Sequence, residues 1–123
     1  MALNRALRLR KSSEFQRVRQ QGRSITSRLL ILAWTSNEVA QLRVGFVVSK
    51  RVSKHAVERN RLKRLLGEAL RPFLPELAPG WDLVLTVRQS ALSADLHTLE
   101  QDIPELLRRA RLLVPAQQQD VKS

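Results

Sequence analysis

The densest positive charge in this chain lies in residues 50–64, where seven of fifteen residues are Lys or Arg and Glu58 is the only acid. Guanidinium groups pair bidentately with phosphate and stack on bases, and Arg outnumbers Lys 17 to 5 in the whole chain. A helix whose charged face is exposed to solvent and binds nothing usually carries both acidic and basic residues, with Glu four residues before Lys or Arg. The uncompensated charge therefore favours a surface that binds nucleic acid over one that is only solvated.

An amphipathic helix is predicted to hold these cations. Its apolar residues follow the spacing i, i+3, i+4, i+7 and i+8, and they are Leu62, Leu65, Leu66, Ala69 and Leu70. At about 100° per residue, Asn60, Arg64, Gly67 and Arg71 fall nearly opposite this stripe. The helix should end near Arg71, because Pro72 disfavours helical geometry in the residue before it. The leucines are thus expected to pack on a core while the cations face outwards.

A shorter helix is predicted nearer the N-terminus. Ser13 fits an N-cap, with Gln16 reaching back to it as in a capping box. The helix should run over residues 14–21 and stop at Gly22. Phe15 lies on one face of this helix, where it serves either as a core contact or as a stacking surface for a base.

Three segments have the apolar or alternating pattern of β-strands. Residues 24–35 are predicted as one strand, residues 42–48 as a second strand next to the first, and residues 81–87 as a third. A strand, the basic helix and another strand indicate a βαβ unit with parallel pairing. The prolines and glycine in residues 72–80 predict a loop between the helix and the last strand.

The two ends of the chain are predicted to be less ordered than its centre. Residues 1–11 form a basic, mobile arm, and residues 114–123 form a Gln-rich, frayed tail. The last helix should begin near Asp95, and Pro104 inside it should kink it or divide it in two.

The composition indicates a single domain over residues 1–123. Its uneven charge indicates that one side of this domain binds a partner. The chain is long enough to bury a core without disulfides, and it has no cysteine. Residues 1–67 carry 16 basic and three acidic residues, whereas residues 68–123 carry six and eight, so the positive charge is concentrated in one part. No apolar run of about 18 residues and no secretory segment occurs, which predicts a cytoplasmic protein. His55 and His97 lack partners at metal-ligand spacing, and no carboxylate pair is marked as acid and base.

Two strings, residues 44–50 (Val-Gly-Phe-Val-Val-Ser-Lys) and residues 56–65 (Ala-Val-Glu-Arg-Asn-Arg-Leu-Lys-Arg-Leu), together resemble the bacterial ribonuclease P protein component. An Arg-Asn-Arg-x-Lys-Arg run on a helix, shortly after a strand that ends in Val-Ser-Lys, is that family's signature. The order of elements also fits over residues 9–113. The resemblance implies an α+β fold, an α/β sandwich in which a mixed sheet of about four strands packs with about three helices in the order αβββαβα. It also implies a left-handed βαβ crossover, against the right-handed rule.

By the same resemblance, the protein assists a catalytic RNA that removes the 5′ leader from precursor tRNA. The RNA is expected to perform the chemistry with bound Mg2+, through a metal-activated water. One protein is expected to bind each RNA. No membrane partner and no small-molecule substrate are expected. The residues that match the family's RNA-binding helix are Lys54, Arg59, Asn60, Arg61, Lys63, Arg64 and Arg71. The residues that match its leader-binding cleft are Phe15, Arg19, Ser49, Lys50, Asn60 and Lys63.

Four positions depart from the family pattern. Gly67 stands where an Arg is frequent, Arg19 replaces a second aromatic, Ala33 replaces a Tyr, and Pro104 interrupts a helix usually free of proline. The Arg19 departure favours charge or guanidinium stacking over aromatic stacking of the leader. From the residues alone, three alternatives remain: a general RNA-binding or ribosome-associated module, a DNA-binding protein with the basic helix in a major groove, and a metal-dependent nuclease that acts without RNA.

Overall fold

The computed structural model describes residues 7–113, which form three α-helices and one four-stranded sheet. The elements are α1 (Ser12–Gln21), β1 (Arg23–Thr26), β2 (Leu30–Ser36), β3 (Arg43–Val47), α2 (Ala56–Leu70), β4 (Trp81–Val87) and α3 (Leu96–Arg109), with short 3-10 helices at Arg71–Glu76 and Gln89–Ala91. The α+β class and the order αβββαβα predicted for the chain are confirmed.

The sheet is mixed, and its strands lie in the order β1-β2-β4-β3. β2 pairs antiparallel with both β1 and β4, whereas β3 pairs parallel with β4 across the α2 crossover. The predicted parallel βαβ unit is confirmed, but the prediction that residues 42–48 lie next to the first strand is wrong. β4 occupies that place because the crossover returns the chain to the open edge of β2, and strand periodicity carries no information about pairing partners. The left hand of the crossover stays an implication of the family resemblance.

Residues 24–35, predicted as one strand, form the β1–β2 hairpin instead. Ser27 Oγ accepts hydrogen bonds from the backbone N–H groups of Leu29 (3.2 Å) and Leu30 (3.0 Å). The N–H of Ser27 donates to the carbonyl of Leu30 at 2.8 Å. A serine that bonds its own backbone competes with the strand ladder, and here it makes the turn. The same hydroxyl donates to Asp102 on α3 at 2.6 Å, so the turn is tied to the last helix.

The start of α1 differs from the prediction because a carboxylate caps it. The helix begins at Ser12, so its N-cap is Lys11 rather than Ser13, and the side chain of Glu14 at the third helical position bonds back to the N-cap backbone. Oε1 of Glu14 accepts the backbone N–H groups of Arg10 and Lys11, each at 3.0 Å. A carboxylate in the first turn reaches back over these donors and also complements the positive end of the helix dipole.

Pro72 and Pro104 interrupt helical structure less than predicted. The helix α2 ends one residue before the predicted Arg71, but the predicted loop begins as a 3-10 helix that continues to Glu76. Pro104 does not divide α3. Ile103 and Leu107 are fully buried on either side of it, so core packing holds the helix together despite a proline cost of about 3 kcal/mol.

The sheet lies between α1 on one face and α2 with α3 on the other. The larger core joins strand residues such as Leu32 and Leu85 to Leu66 of α2 and Ile103 of α3. The smaller core beneath α1 consists of Leu9, Val18, Ala33 and Val84, with Phe15 and Val47 packed against it. Few apolar side chains therefore hold α1 on the sheet.

The predicted mobile arm lies only partly within the described residues, and the predicted tail of residues 114–123 lies outside them. Leu9 is 6% exposed, and its N–H donates to the carbonyl of Val44 at 3.0 Å. This part of the predicted arm is thus packed along the edge of β3 instead of projecting from the domain. None of the helices within residues 7–113 is long and apolar enough to cross a membrane.

Candidate nucleic-acid interface

The helix α2 and the residues that flank it present most of their cations to solvent. Leu62, Leu66 and Leu70 are at most 1% exposed, which confirms the predicted apolar stripe. Gly67, predicted to lie nearly opposite this stripe, is buried as well. The exposed members of the predicted RNA-binding set are Lys54, Asn60, Lys63, Arg64 and Arg71. Because the leucines fix the helix on the core, these side chains project from a rigid element.

Two of the predicted RNA-binding arginines also hold the fold together. The guanidinium of Arg59 donates to the carbonyl of Ser53 at 2.9 Å, and that of Arg61 donates to the carbonyl of Leu92 at 3.1 Å. Both arginines are half-buried. Each guanidinium carries several N–H donors, so one bond to the backbone leaves others for a ligand. Their substitution is therefore expected to affect stability as well as binding.

A cleft of about 440 Å³ opens beside these cations, between α1, β3 and α2. Its lining combines apolar surface with guanidinium, ammonium and amide groups from Arg8, Leu9, Arg10, Phe15, Val44, Gly45, Phe46, Asn60, Lys63 and Arg64. An apolar floor with a cationic rim suits single-stranded nucleic acid, whose bases stack on hydrophobic surface while its phosphates require positive charge.

The ring of Phe15 lies directly on Gly45 of β3 and forms part of the floor. A Cβ atom at Gly45 would be 2.3 Å from Cε1 and 2.5 Å from Cζ of this ring. Gly45 is therefore needed for the close approach of an aromatic side chain, and it lies within a regularly paired stretch of β3. Phe15 is half-buried, packs on the smaller core and lines the cleft, so it is a core contact with one part of its ring facing the cleft.

The predicted leader-cleft residues do not all lie in this cleft. Three of them line it, namely Phe15, Asn60 and Lys63. The other three are exposed outside its lining, with Arg19 on α1 and with Ser49 and Lys50 beyond the end of β3. Ser49 borders a separate groove with Arg51 and Arg88. The separation arises because β3 ends at Val47 and the chain then leaves the sheet towards α2.

Two features of the cleft were missed by the sequence predictions. Arg64, predicted only to contact the RNA subunit, lines the cleft from α2. Arg8 and Arg10 form a wall of the cleft from the segment before α1. The bridge between Arg8 and Val44 and the bond from Leu9 place this segment along the edge of the sheet. The alternation Arg-Leu-Arg has the period of an edge strand, and it is the signal from which this wall could have been found.

An ion network, here called the α1 ion network, joins α1 to the sheet beside the cleft. Asp82 of β4 is 0% exposed and accepts hydrogen bonds from Arg17 of α1, from Arg43 of β3 (2.9 Å to each carboxylate oxygen) and from Asn37 (2.7 Å). Arg43 also donates to Glu14 of α1 at 2.8 Å. Burial by itself raises the pKa of the Asp82 carboxyl, but hydrogen bonds from Arg43 and Asn37 outweigh it and hold the pKa below its usual value.

The described carboxylates offer no cluster that could hold Mg2+ without phosphate oxygens from a bound nucleic acid. Within residues 7–113, no three or more carboxylate or imidazole side chains are arranged to hold a metal ion. Asp82 and Glu14 are engaged by arginines. A magnesium site needs carboxylate oxygens free to coordinate the ion.

Comparisons of the sequence with known proteins agree with this arrangement. The protein-family model described as Ribonuclease P matches residues 3–111. The ribonuclease P protein component of Chloroflexus aurantiacus is 47% identical over 112 residues, which cover 90% of this chain and 82% of the relative. The ribonuclease P protein component of Chloroflexus aggregans is 39% identical over 120 residues, which cover 97% of this chain and 88% of the relative.

Solved structures show the same fold. The RNase P protein from Staphylococcus aureus matches with a TM-score of 0.81 and 26% identity, over 89% of this chain and 99% of the other. The RNase P protein from Thermotoga maritima matches with a TM-score of 0.74 and 26% identity, over 83% and 96%. The chain belongs to the family of bacterial ribonuclease P protein components.

Proposed function

We propose that this chain binds the catalytic RNA of ribonuclease P through the exposed side of α2 and holds the 5′ leader of precursor tRNA in the adjoining cleft. Membership of the family makes it a subunit of this endoribonuclease, which acts in tRNA processing with an RNA partner. The continuity of the two surfaces supports the proposal most directly. Asn60, Lys63 and Arg64 belong to the exposed side of α2 and also line the cleft.

The exposed side of α2 supplies charge for the RNA subunit. Phosphates in folded RNA are closely spaced, and each Lys or Arg that neutralises one of them releases a counterion, so binding is strong at low salt and weakens as salt rises. The cations are already held on a packed helix, which reduces the conformational entropy lost on binding. A rigid row of cations suits a folded RNA surface.

The cleft supplies a path for a single strand. Phe15 offers an aromatic ring on which a base can stack, as in other proteins that bind single strands without reading base edges. Arg8 and Arg10 on one wall and Lys63 and Arg64 on the other lie where they can pair with phosphates. The combination favours an unpaired leader over a duplex, whose bases are stacked on each other.

The chemistry belongs to the RNA in this proposal. Hydrolysis of the phosphodiester uses a metal-activated water, and we assign the Mg2+ mainly to the RNA, whose phosphate oxygens are ligands that Mg2+ prefers. The protein binds the substrate and orients it. We propose one protein per RNA, acting in the bacterial cytoplasm.

Reconstitution tests the proposal. The purified protein is added to a bacterial ribonuclease P RNA at a Mg2+ concentration at which the RNA alone is nearly inactive, and cleavage of precursor tRNA is measured. We expect leader removal to be restored and the precursor to bind more tightly than tRNA without a leader. Lys63→Ala combined with Arg64→Ala should reduce both effects. Arg23→Ala combined with Arg28→Ala is the charge-matched control and should reduce neither, because both arginines are exposed near the opposite edge of the sheet and neither lines the cleft.

Three results would refute the proposal. RNA binding without restored cleavage would indicate a general RNA-binding module. Preference for duplex DNA would indicate a DNA-binding protein. Cleavage of the precursor by the protein alone would indicate a nuclease with its own active site.

A further inference from the structure

We propose that the α1 ion network is a positioning device for the cleft, which fixes where α1 lies on the sheet and so holds Phe15 on Gly45. The inference rests on the proposed leader-binding function. It assigns a role to four charged residues that are absent from the lining of the cleft and from the cations of α2, namely Glu14, Arg17, Arg43 and Asp82.

The network contacts α1 at two points about one helical turn apart. Glu14 pairs with Arg43 at 2.8 Å. Three residues later, Arg17 pairs with Asp82 and donates to the carbonyl of Ser36 at 2.9 Å. Arg43 and Asp82 are register partners on the neighbouring strands β3 and β4. Two contacts at different heights and on different strands restrict both the rotation of the helix and its translation along its axis.

The contact of Phe15 with the sheet depends on this placement. Gly45 follows Arg43 by two residues on β3, so both face α1. Its register partner on β4 is Val84, which follows Asp82 in the same way and belongs to the smaller core. Only a glycine lets the ring approach this closely. A shift of α1 by one residue, about 1.5 Å, would therefore move the ring off the glycine and onto a neighbouring side chain.

Apolar packing alone does not determine the position of α1. Val18 is the only fully buried residue of this helix, and hydrophobic contact has no preferred direction. Hydrogen-bonded charge pairs require a defined geometry. A buried ionic network often loses in desolvation what it gains in attraction, so we ascribe the value of this one to position more than to net stability.

Two substitutions weaken the network at its half-exposed members and leave Asp82 bonded to Arg43 and Asn37. Glu14→Gln keeps an oxygen that can cap the helix but removes the charge that faces Arg43. Arg17→Gln removes the second contact. Their side chains are 22% and 32% exposed, so water can solvate the new amides and the fold should persist.

The readout is the leader-dependent affinity of the reconstituted holoenzyme, expressed as the Kd for leaderless tRNA divided by the Kd for precursor tRNA. We expect each substitution to lower this ratio about threefold to tenfold, as for other coupled contacting residues. The affinity of the protein for the RNA subunit should not change. Glu105→Gln breaks the exposed pair with Arg108 on α3, and as the matched control it should leave the ratio unchanged.

A double-mutant cycle with Phe15→Ala distinguishes positioning from a general loss of stability. If the network acts through the ring, Glu14→Gln has no further effect on the ratio once Phe15 is alanine. An additive effect, an unchanged ratio in both single variants, or an equal loss of affinity for precursor and leaderless tRNA would overturn the inference. A wild-type holoenzyme with a ratio of one would refute the proposed function itself, so the two failures are distinguishable.

Discussion

Replacing Gly45 with alanine should push the ring of Phe15 into the cleft. The new methyl group would lie 2.3 Å from Cε1 and 2.5 Å from Cζ of the ring, whereas carbon atoms in contact are about 3.5–4.0 Å apart. The ring must therefore retreat by about 1.2–1.7 Å. Overpacking of this kind costs about 1–3 kcal/mol. We expect the lower end of that range, because the cleft is open beside the ring and the backbone need not move.

The effect on binding should exceed the effect on folding. Stacking of one base on an aromatic ring contributes about 1–3 kcal/mol, and about 1.4 kcal/mol corresponds to a tenfold change in affinity. Gly45→Ala should thus weaken precursor binding about tenfold and leave the affinities for leaderless tRNA and for the RNA subunit unchanged. Fluorescence anisotropy of labelled tRNAs with the holoenzyme measures the binding, and urea denaturation of the protein measures the stability.

A second substitution separates the steric effect of the new methyl group from the loss of the aromatic stacking surface. Phe15→Leu in the Gly45→Ala background leaves room for the methyl group, so stability should recover while affinity for the leader stays low. If Gly45→Ala alone binds precursor as tightly as the wild type, the position of the ring is irrelevant to the leader and the reasoning about the cleft fails.

Acid should weaken the fold through Asp82. The folded protein holds the pKa of this carboxyl below its usual value, so its contribution is present above the unfolded pKa of about 3.9 and is lost as the pH falls below it. Urea denaturation across this range should show the loss, and Asp82→Asn should flatten the profile. Arg64→Ala should lower RNA affinity and reduce the salt slope by about one without moving the thermal transition. Arg59→Ala should lower the RNA affinity, the salt slope and the temperature of the thermal transition, because it also loses a bond to a backbone carbonyl. Gly22→Ala should lower the free energy of unfolding by about 3 kcal/mol, because a Cβ there would lie 2.4 Å from two backbone oxygens that cannot move aside; thermal and urea unfolding measure it.

Each of these predictions has a contrary result. A wild-type profile that is flat below pH 4 would show that Asp82 is not held ionised by its partners. Identical melting curves for Arg59→Ala and Arg64→Ala would show that the backbone bond of Arg59 contributes nothing. A Gly22→Ala protein of normal stability would show that the end of α1 can shift away from β2.

Local patterns in the sequence were sufficient for the helix that carries the charge. The leucine spacing from Leu62 to Leu70 depends only on residues within a few turns of each other, so periodicity predicted both the buried stripe and the exposed cations. Pro72 predicted the end of α2 for an equally local reason. The strand at residues 81–87 followed from its own alternation. The Arg-Asn-Arg-x-Lys-Arg run on this helix, together with the preceding strand that ends in Val-Ser-Lys, also indicated the family.

Features for which several groups compete, such as a backbone hydrogen bond or the open edge of a strand, were predicted incorrectly. Ser27 splits the first strand because its hydroxyl bonds the backbone and Asp102 of α3, which is 75 residues away. The N-cap of α1 is Lys11 and not Ser13, because the carboxylate of Glu14 accepts the backbone N–H groups of Arg10 and Lys11. Strand order also escaped prediction, because pairing depends on which edge is open when the chain returns.

The chemical character of this protein, an arginine-rich helix with a leucine-packed face suited to phosphates, could be predicted from its amino-acid sequence. The shape of the cleft could not, because its floor and walls come from segments far apart in the chain that folding brings together. The bond between Arg17 and Asp82 spans 65 residues, and the contact of Phe15 with Gly45 depends on the helix that this bond holds. Residue types are local properties, whereas the distances between them are set by packing and charge pairing across the whole fold.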